Sequence, residues 1–191
     1  MTLRLNGSSS GYTELDAPAV AGSNTLVLPG GNGAAGQVLS TNGSGALSWV
    51  DRMTAAGPAF SATANAGATI TSSTFTKVAF QVEEFDTASC YDNTTNYRFT
   101  PNVAGYYQIT ARTQFTSNAG TSETMLVIYK NGAEARRGNA GSIGISVSAI
   151  VYLNGSSDYV EIYVLQATGG SVGITGASNY AYFQAALIRP A

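Results

Sequence analysis

Residues 104–115 show the clearest periodic pattern in the chain, an alternation of two sets of side chains. One set points to one side of an extended backbone: Tyr107, Ile109, Ala111, Thr113 and Phe115. The other set is mostly polar: Tyr106, Gln108, Thr110, Arg112 and Gln114. A period of two residues is typical of a β-strand. Because Pro101 and Gly105 break the chain just before this stretch, we predict a long strand that follows them.

From Pro58 onward, short apolar or alternating segments succeed one another, with glycine- and serine-rich turns between them. Besides the long strand, the predicted strands are PAFSATA, FTKVAFQVEEF, YRF, ETMLVIYKNG, SIGISVSAIVYL, SDYVEIYVLQA and YAYFQAALI. No segment of about ten or more residues has the period of a helix. The pattern predicts an all-β, jelly-roll-like sandwich.

Two of the predicted strands, within residues 143–153 and 159–165, are apolar on both faces. One face of each strand would fill the sandwich core. The other faces hold Ile150, Tyr152, Tyr159, Tyr163 and Leu165. Only 10% of the residues in this chain are charged, so a second apolar face indicates a surface that needs a partner. Self-association explains both faces most simply.

The first 50 residues differ from the rest. Their apolar residues come in short groups, separated by turn sequences such as NGSSSG, PGGNG and TNGSG. Strands this short cannot offset the ordering entropy of their turns within one molecule. The segment is therefore either flexible or ordered by pairing with copies of itself. We predict a β-rich shaft or neck over residues 1–50, a linker over 51–57 and a globular head over 58–191.

Composition excludes several classes of function. The formal net charge is -2, so the chain has no basic field for a nucleic acid backbone. Histidine is absent, which removes Ser-His-Asp and Cys-His nucleophile systems and histidine-based zinc sites. The single cysteine, Cys90, has no partner within the chain for a disulfide, and we expect a small buried hydrophobic residue there. We predict a protein that is not an enzyme and binds no nucleic acid.

Membrane insertion and secretion are not expected. No apolar run approaches the about 20 residues that span a bilayer. The start of the chain, MTLRLNGSSSG, lacks the apolar core of a secretory signal. We therefore expect synthesis and folding in a cytoplasm.

The stretch CYDNTTNYRFTPNVAGYYQITARTQF, residues 90–115, resembles the signature of the globular head of complement C1q and its relatives in the tumour necrosis factor superfamily. Further motifs follow the same order over residues 58–189, among them PAFSA, FTKVAF, YKNG, DYVEIYV and YFQAALI. The resemblance implies a ten-stranded jelly roll and a compact homotrimer with its neck entering at one end. One departure is an insertion of two residues before Asp158, where the family pattern reads L-x-x-G-D-x-V.

The resemblance also implies which residues specify the sandwich and its assembly. These signature residues are Tyr91, Asp92, Phe99, Gly105, Tyr106, Tyr107, Tyr163 and Phe183. Recognition of a partner is then expected in loops at the sandwich ends, over residues 117–122, 138–142 and 168–179.

The N-terminal segment resembles a sequence of bacteriophage tail fibres, with a T-L-x-L-P strand followed by G-Q-V-L-x-T-x-G-x-G-x-L-x-W. The resemblance implies a trimeric β shaft or neck just ahead of a globular tip, and attachment to other virion proteins. We interpret Trp49, the lone tryptophan, as an apolar anchor between neck and head; a ligand-stacking residue is the alternative.

Two groups of charged residues are candidate sites. Oxygen ligands for calcium are available from Glu83, Glu84, Asp86 and Asp92. They lack the tight spacing of a calcium-binding loop, and the alternatives are solvated turn carboxylates or a glycosidase pair. Arg136 and Arg137 are interpreted as a contact to an acidic glycan, or as ion-pair partners of carboxylates such as Glu134 across a subunit interface.

The function expected from these observations is multivalent adhesion. A trimeric phage fibre or virion surface appendage would bind a host-surface protein or glycan through its head, without a cofactor other than candidate calcium. The alternative is a structural decoration of a capsid or tail with no receptor. A depolymerising enzyme is a third and weaker hypothesis.

Overall fold

The structure, a computed structural model, describes residues 3–16, 18–20, 22–51, 57–117, 119 and 124–191. The chain divides into two compact units, Met1–Thr54 and Ala55–Ala191. The division falls inside the predicted linker, but residues 52–56 of that linker lie outside the described residues. Each unit is therefore described by itself.

The N-terminal unit contains two antiparallel strand pairs. Strand β1 (Leu3–Asn6) pairs with β2 (Tyr12–Leu15), and β3 (Gln37–Thr41) pairs with β4 (Leu47–Asp51). The large apolar side chains here are exposed: Leu3, Leu5, Tyr12, Leu15, Val20, Leu26, Val27, Leu28, Val38, Leu39, Trp49 and Val50. Because these side chains are exposed, the described residues of this unit form no apolar core of their own. Isolated two-stranded ribbons of this kind are only marginally stable in water.

The second unit contains thirteen strands among its described residues. They are β5 (Ala59–Thr63), β6 (Ala68–Ile70), β7 (Thr76–Lys77), β8 (Val82–Asp86), β9 (Tyr91–Asp92), β10 (Arg98–Phe99), β11 (Ala104–Gln114), β12 (Met125–Lys130), β13 (Ala133–Arg137), β14 (Gly144–Asn154), β15 (Val160–Leu165), β16 (Val172–Ile174) and β17 (Tyr182–Pro190). Several are only two or three residues long, which is why the number exceeds the ten that the family resemblance implies.

The strands form two main sheets. Sheet I has the order β14-β11-β17-β5-β8. Sheet II has the order β13-β12-β15-β10-β9, with β7 also pairing with β15. Strands distant in sequence lie side by side and pair antiparallel, for example β11 with β14 and β17. The prediction of an all-β jelly-roll sandwich is confirmed.

The core lies between the two sheets. Strand β11 alternates strictly, with Tyr107, Ile109 and Ala111 fully buried and the intervening side chains partly exposed. Core-facing residues of β12, β14, β15 and β17 complete the same apolar cluster. The faces predicted from the alternation in β11, β14 and β15 are therefore correct, whereas Ile143, just before β14, is exposed. A two-residue turn at Asn131 and Gly132, with φ of 53° and 79°, joins β12 to β13.

Candidate functional site

Four of the signature residues lie in the core and not on a surface. The ring of Phe60 is 4.5 Å from that of Tyr91, 4.7 Å from that of Phe99 and 4.8 Å from that of Phe183. Tyr107 is fully buried beside Phe99. These side chains pack within the core of one molecule, as expected for residues that specify the sandwich. Their role in assembly stays a prediction. Phe60, at the centre of this cluster, was not singled out from the sequence because a lone phenylalanine carries no pattern.

The buried tyrosines of this cluster keep their hydroxyl groups paired. The Tyr91 hydroxyl donates to the Phe80 carbonyl oxygen at 3.0 Å, and the Tyr107 hydroxyl donates to the Val103 carbonyl oxygen at 2.7 Å. Burial raises the pKa of Tyr91 far above its ordinary value and raises the pKa of Tyr107 to about 12. Both are neutral structural groups.

Gly105 is a signature residue for a steric reason. A Cβ atom at this position would lie 2.5 Å from the Arg189 carbonyl oxygen and 2.6 Å from Cδ1 of Leu187. Only glycine therefore allows β11 to approach β17 this closely at its start.

The four calcium candidates are not brought together. Asp92 accepts hydrogen bonds from the backbone N–H groups of Thr94, Thr95 and Asn96 and from the Asn96 side chain. These donors hold the pKa of Asp92 well below its ordinary value. Asp86 accepts from the backbone N–H groups of Ala88 and Tyr91.

Glu84 accepts from the Ser61 hydroxyl at 2.6 Å. Within the described ranges, no group of three or more acidic, cysteine or histidine side chains is placed to hold a metal. The carboxylates of Asp86 and Asp92 close turns instead, so the calcium interpretation has no geometric support. The same dispersal gives no support to a glycosidase pair.

The outer face of sheet I carries an exposed apolar group at one end. Tyr106 is 47% exposed, Ile150 54% and Ile188 54%, and the ring of Tyr152 lies 5.5 Å from that of Tyr106. With Arg189, Pro190 and Ala191, three of these residues line an open groove of about 620 Å³. We call Tyr106, Ile150, Tyr152 and Ile188 the sheet I apolar face.

The middle of the same surface is polar but internally paired. Gln108 Nε2 donates to Ser148 Oγ at 2.7 Å. Gln184 Nε2 donates to Ser61 Oγ at 3.0 Å, and Ser61 is the group that donates to Glu84. Because these groups satisfy one another within the sheet, another molecule can cover them without stranding a hydrogen-bonding group.

Arg112 is the exception on this surface. Its Nε atom is buried and has no hydrogen-bond partner. A covered guanidinium without an acceptor is costly, so Arg112 requires an anionic or carbonyl partner if a second molecule packs here.

The outer face of sheet II carries a separate aromatic group. The ring of Tyr129 lies 4.2 Å from that of Tyr163 and 5.8 Å from that of Phe75. We call Phe75, Tyr129 and Tyr163 the sheet II aromatic strip. Tyr163 therefore lies on the surface of the sandwich opposite Tyr106. Strand spacing alone does not show which sheet a strand joins.

The arginine pair lies in strand β13 and not in the preceding turn. Arg137 Nε and Nη2 donate to Glu134 Oε1 and Oε2 of the same chain at 2.6 and 2.9 Å. These hydrogen bonds lower the pKa of Glu134. Within one chain the partner of Arg137 is thus three residues away, and pairing across a subunit interface stays a prediction. Arg136 is exposed and donates to the Ala135 carbonyl oxygen at 2.7 Å.

Asp158, at the departure from the family pattern, joins several turns. Its carboxylate contacts Lys130 Nζ at 2.8 Å and accepts from Asn131 Nδ2 at 2.7 Å and from the Asn154 backbone N–H at 3.0 Å. These contacts lower its pKa. The two extra residues form a turn that returns Asp158 to this position. The unusual spacing was the only sequence signal for it.

Among the predicted recognition loops, residues 168–179 contain strand β16, which pairs with β6. Residues 138–142 contain no strand. Of the loop 117–122, residues 118 and 120–122 lie outside the described residues.

Trp49 packs within the N-terminal unit. Its Nε1 donates to the Gly31 carbonyl oxygen at 2.8 Å, and Gly33 lies against the indole ring. Its role as an anchor between neck and head stays a prediction. In the part of the chain that the structure describes, no helix has the length and apolarity of a membrane span.

No model of a known protein family matches the chain, and no curated protein matches it. Solved structures do. Murine APRIL at pH 8.0 is 12% identical with a TM-score of 0.52, covering 69% of this chain and 98% of that chain.

Eiger TNF from S. frugiperda is 10% identical with a TM-score of 0.53, and the match covers 71% of this chain and 95% of that chain. The PRD1 vertex protein P5 is 16% identical with a TM-score of 0.51, and the match covers 70% of this chain and 99% of that chain. At these identities the likeness concerns the fold alone. The chain therefore has a jelly roll of the tumour necrosis factor and C1q type.

Proposed function

We propose that this protein is a homotrimeric virion surface or fibre protein whose jelly-roll head binds a host-surface molecule. The observation that carries the proposal is the sheet I apolar face, four large apolar side chains on a protein in which only 10% of residues are charged. Contiguous exposed apolar groups of this kind mark interaction sites.

A second copy of the chain fits this face. The Nε of Arg112 on β11 has no acceptor, and Glu84 on the edge strand β8, which accepts one hydrogen bond from Ser61, provides a carboxylate at the other side of the same sheet. A head-to-tail contact brings unlike parts of two copies together, so Arg112 of one copy meets the β8 edge of the next. Contacts of this type close into a ring when the rotation between copies divides a full turn, and a rotation of one third of a turn gives a trimer.

The N-terminal unit supports the same assembly. Its strand pairs expose leucines, for example the cross-strand pair Leu3 and Leu15 on one face of the β1–β2 ribbon. Three copies side by side would cover these residues, as expected for a shaft or neck. As its resemblance to phage tail-fibre sequences suggests, the proposed shaft also attaches the protein to other virion proteins.

A virion location is supported by the fold shared with the PRD1 vertex protein P5. Binding by three weak sites on one rigid assembly needs no chemistry, because avidity multiplies the individual affinities. The sandwich surfaces described above offer apolar and aromatic contacts in place of a catalytic constellation.

Two measurements test the proposal. Light scattering of the purified protein is expected to give the mass of three chains, and the labelled protein is expected to bind host cells. A monomer at micromolar concentration would reject the assembly. A stable trimer that binds no host cell would reject host recognition and establish the alternative, a structural decoration of the virion.

A further inference from the structure

The sheet II aromatic strip lies on strands and at the entrance to a strand, not on a sandwich-end loop. Tyr129 and Tyr163 come from the neighbouring strands β12 and β15, and Phe75 directly precedes β7, which pairs with β15. All three rings are half-buried, so each keeps part of its surface open. Backbone pairing on both sides fixes their spacing before any ligand arrives, which lowers the entropy cost of binding.

Polar groups flank the strip in matched pairs. On one side, Lys77 Nζ contacts Glu161 Oε1 at 2.7 Å, and the Tyr163 hydroxyl lies 3.5 Å from Glu161 Oε2. On the other side, Glu134 and Arg137 pair through two hydrogen bonds. Each pair sums to zero charge. The surroundings of the strip thus provide hydrogen-bond donors and acceptors but no net charge to attract a charged polymer.

We propose that the sheet II aromatic strip binds a neutral polysaccharide. The inference rests on the proposed host-binding function and names the site and the class of ligand. A sugar ring has an apolar C–H face, which packs on an aromatic ring, and a rim of hydroxyl groups, which pair with the ammonium, carboxylate and phenol groups around the strip. Tyr129 and Tyr163 pack against each other at 4.2 Å, and Lys77 Nζ lies 5.9 Å from the Tyr163 ring centroid. The parts of the Phe75, Tyr129 and Tyr163 rings that stay open provide adjacent apolar contacts for successive sugars.

The position of the strip agrees with a role in adhesion. In the proposed trimer the sheet I surface is covered, and the strip lies on the opposite side of each sandwich. Three copies therefore remain open at once and can engage repeating units of one polymer.

The probe is affinity electrophoresis of the full chain in gels that contain laminarin, dextran or galactomannan, with alginate as the acidic comparison. We expect at least one neutral polysaccharide to retard the wild type. Tyr163→Ala and Phe75→Ala are each expected to weaken that retardation at least tenfold. Tyr163→Phe, which keeps the ring, is expected to change it less than threefold.

Tyr180→Ala is the matched control, since Tyr180 is an exposed loop tyrosine outside both sheets. It is expected to bind like the wild type. Light scattering of Tyr163→Ala is expected to match the wild-type assembly, which separates loss of the site from loss of the fold. No retardation by any neutral polysaccharide, retardation by alginate alone, or wild-type retardation of Tyr163→Ala and Phe75→Ala would each overturn the proposal.

Host-cell binding distinguishes the two proposals. If Tyr163→Ala binds host cells as well as the wild type, the strip is not the recognition site and the host-binding function stands. If the wild type binds a neutral polysaccharide through the strip but binds no host cell, the strip stands and the host role fails.

Discussion

At the scale of single residues, the acidic side chains of this protein close turns. Asp92 accepts hydrogen bonds from backbone N–H groups of the turn that follows it, and Asp86 accepts from the backbone N–H of Tyr91. Asp158 links the turn between β12 and β13 to the end of β14. A carboxylate surrounded by N–H donors is stabilised in its charged form, and its oxygens are already engaged. This explains why, in the described part of the chain, the neighbouring carboxylates are not grouped in threes around a possible metal position.

The Asp92 turn makes stability depend on pH. Its pKa is lowered in the folded state from an ordinary value of 3.8, so its contribution is fully present above that value and is lost as the pH falls below it. We expect Asp92→Asn to lower the free energy of unfolding by about 1 kcal/mol at pH 7. The difference from wild type should shrink toward pH 2 in urea unfolding.

Glu83→Gln, a change at an exposed carboxylate on β8, is the control for that measurement and is expected to change stability little at pH 7. If Asp92→Asn lowers the free energy of unfolding by the same amount from pH 7 to pH 2, the charged Asp92 carboxylate is not what stabilises the turn.

At the scale of elements, strands β14 and β15 each have two apolar faces, but their second faces lie on different surfaces. Ile150 and Tyr152 of β14 belong to the sheet I apolar face, whereas Tyr163 of β15 belongs to the sheet II aromatic strip. The sequence suggested that one self-association contact accounts for the second apolar faces of both strands. In the structure these faces belong to two separate surfaces. The proposed self-association uses sheet I, where the buried Nε of Arg112 has no hydrogen-bond partner.

Ile150→Asp tests that assignment. Burying a charged aspartate at the proposed interface costs several kcal/mol, and the burial of the isoleucine side chain is lost as well. We therefore expect the dissociation constant of the assembly to rise at least tenfold. Sedimentation across a dilution series measures it. Tyr180→Asp, which places the same charge on an exposed loop, is expected to leave the assembly intact. Equal assembly of both variants would exclude sheet I as the contact.

At the scale of the whole molecule, the two units differ in what stabilises them. The second unit has a continuous core of interdigitated aromatic and aliphatic side chains. The N-terminal unit exposes its apolar residues along two short ribbons. The free energy of folding from hydrophobic burial therefore resides almost entirely in the jelly roll.

A fragment of residues 57–191 is expected to fold alone, with a melting temperature within a few degrees of the full chain and the same number of chains per particle. A fragment of residues 1–51 is expected to show no cooperative thermal transition in circular dichroism, since its ribbons bury too little apolar surface. Cooperative melting of a monomeric short fragment would show that it has a core of its own, whereas cooperative melting of a trimeric fragment would show that the shaft assembles without the head.

Much of this architecture is readable from the chain. The alternation in β11, β14 and β15 predicted both the strands and their buried faces, because side chains in an extended backbone must point to opposite sides in turn. The turn residues and the absence of helical periodicity predicted an all-β sandwich. The family resemblance placed Tyr91, Phe99 and Gly105 among the residues that specify it.

Contacts between distant segments were not readable. Periodicity assigns a residue to a face of its own strand, but the neighbours of that strand depend on long-range pairing, which local spacing does not encode. Tyr106 and Tyr163 look alike in the sequence, yet they lie on opposite surfaces of the sandwich. The cluster around Phe60, the unpaired Nε of Arg112 and the sheet II aromatic strip exist only because the two sheets bring remote residues together.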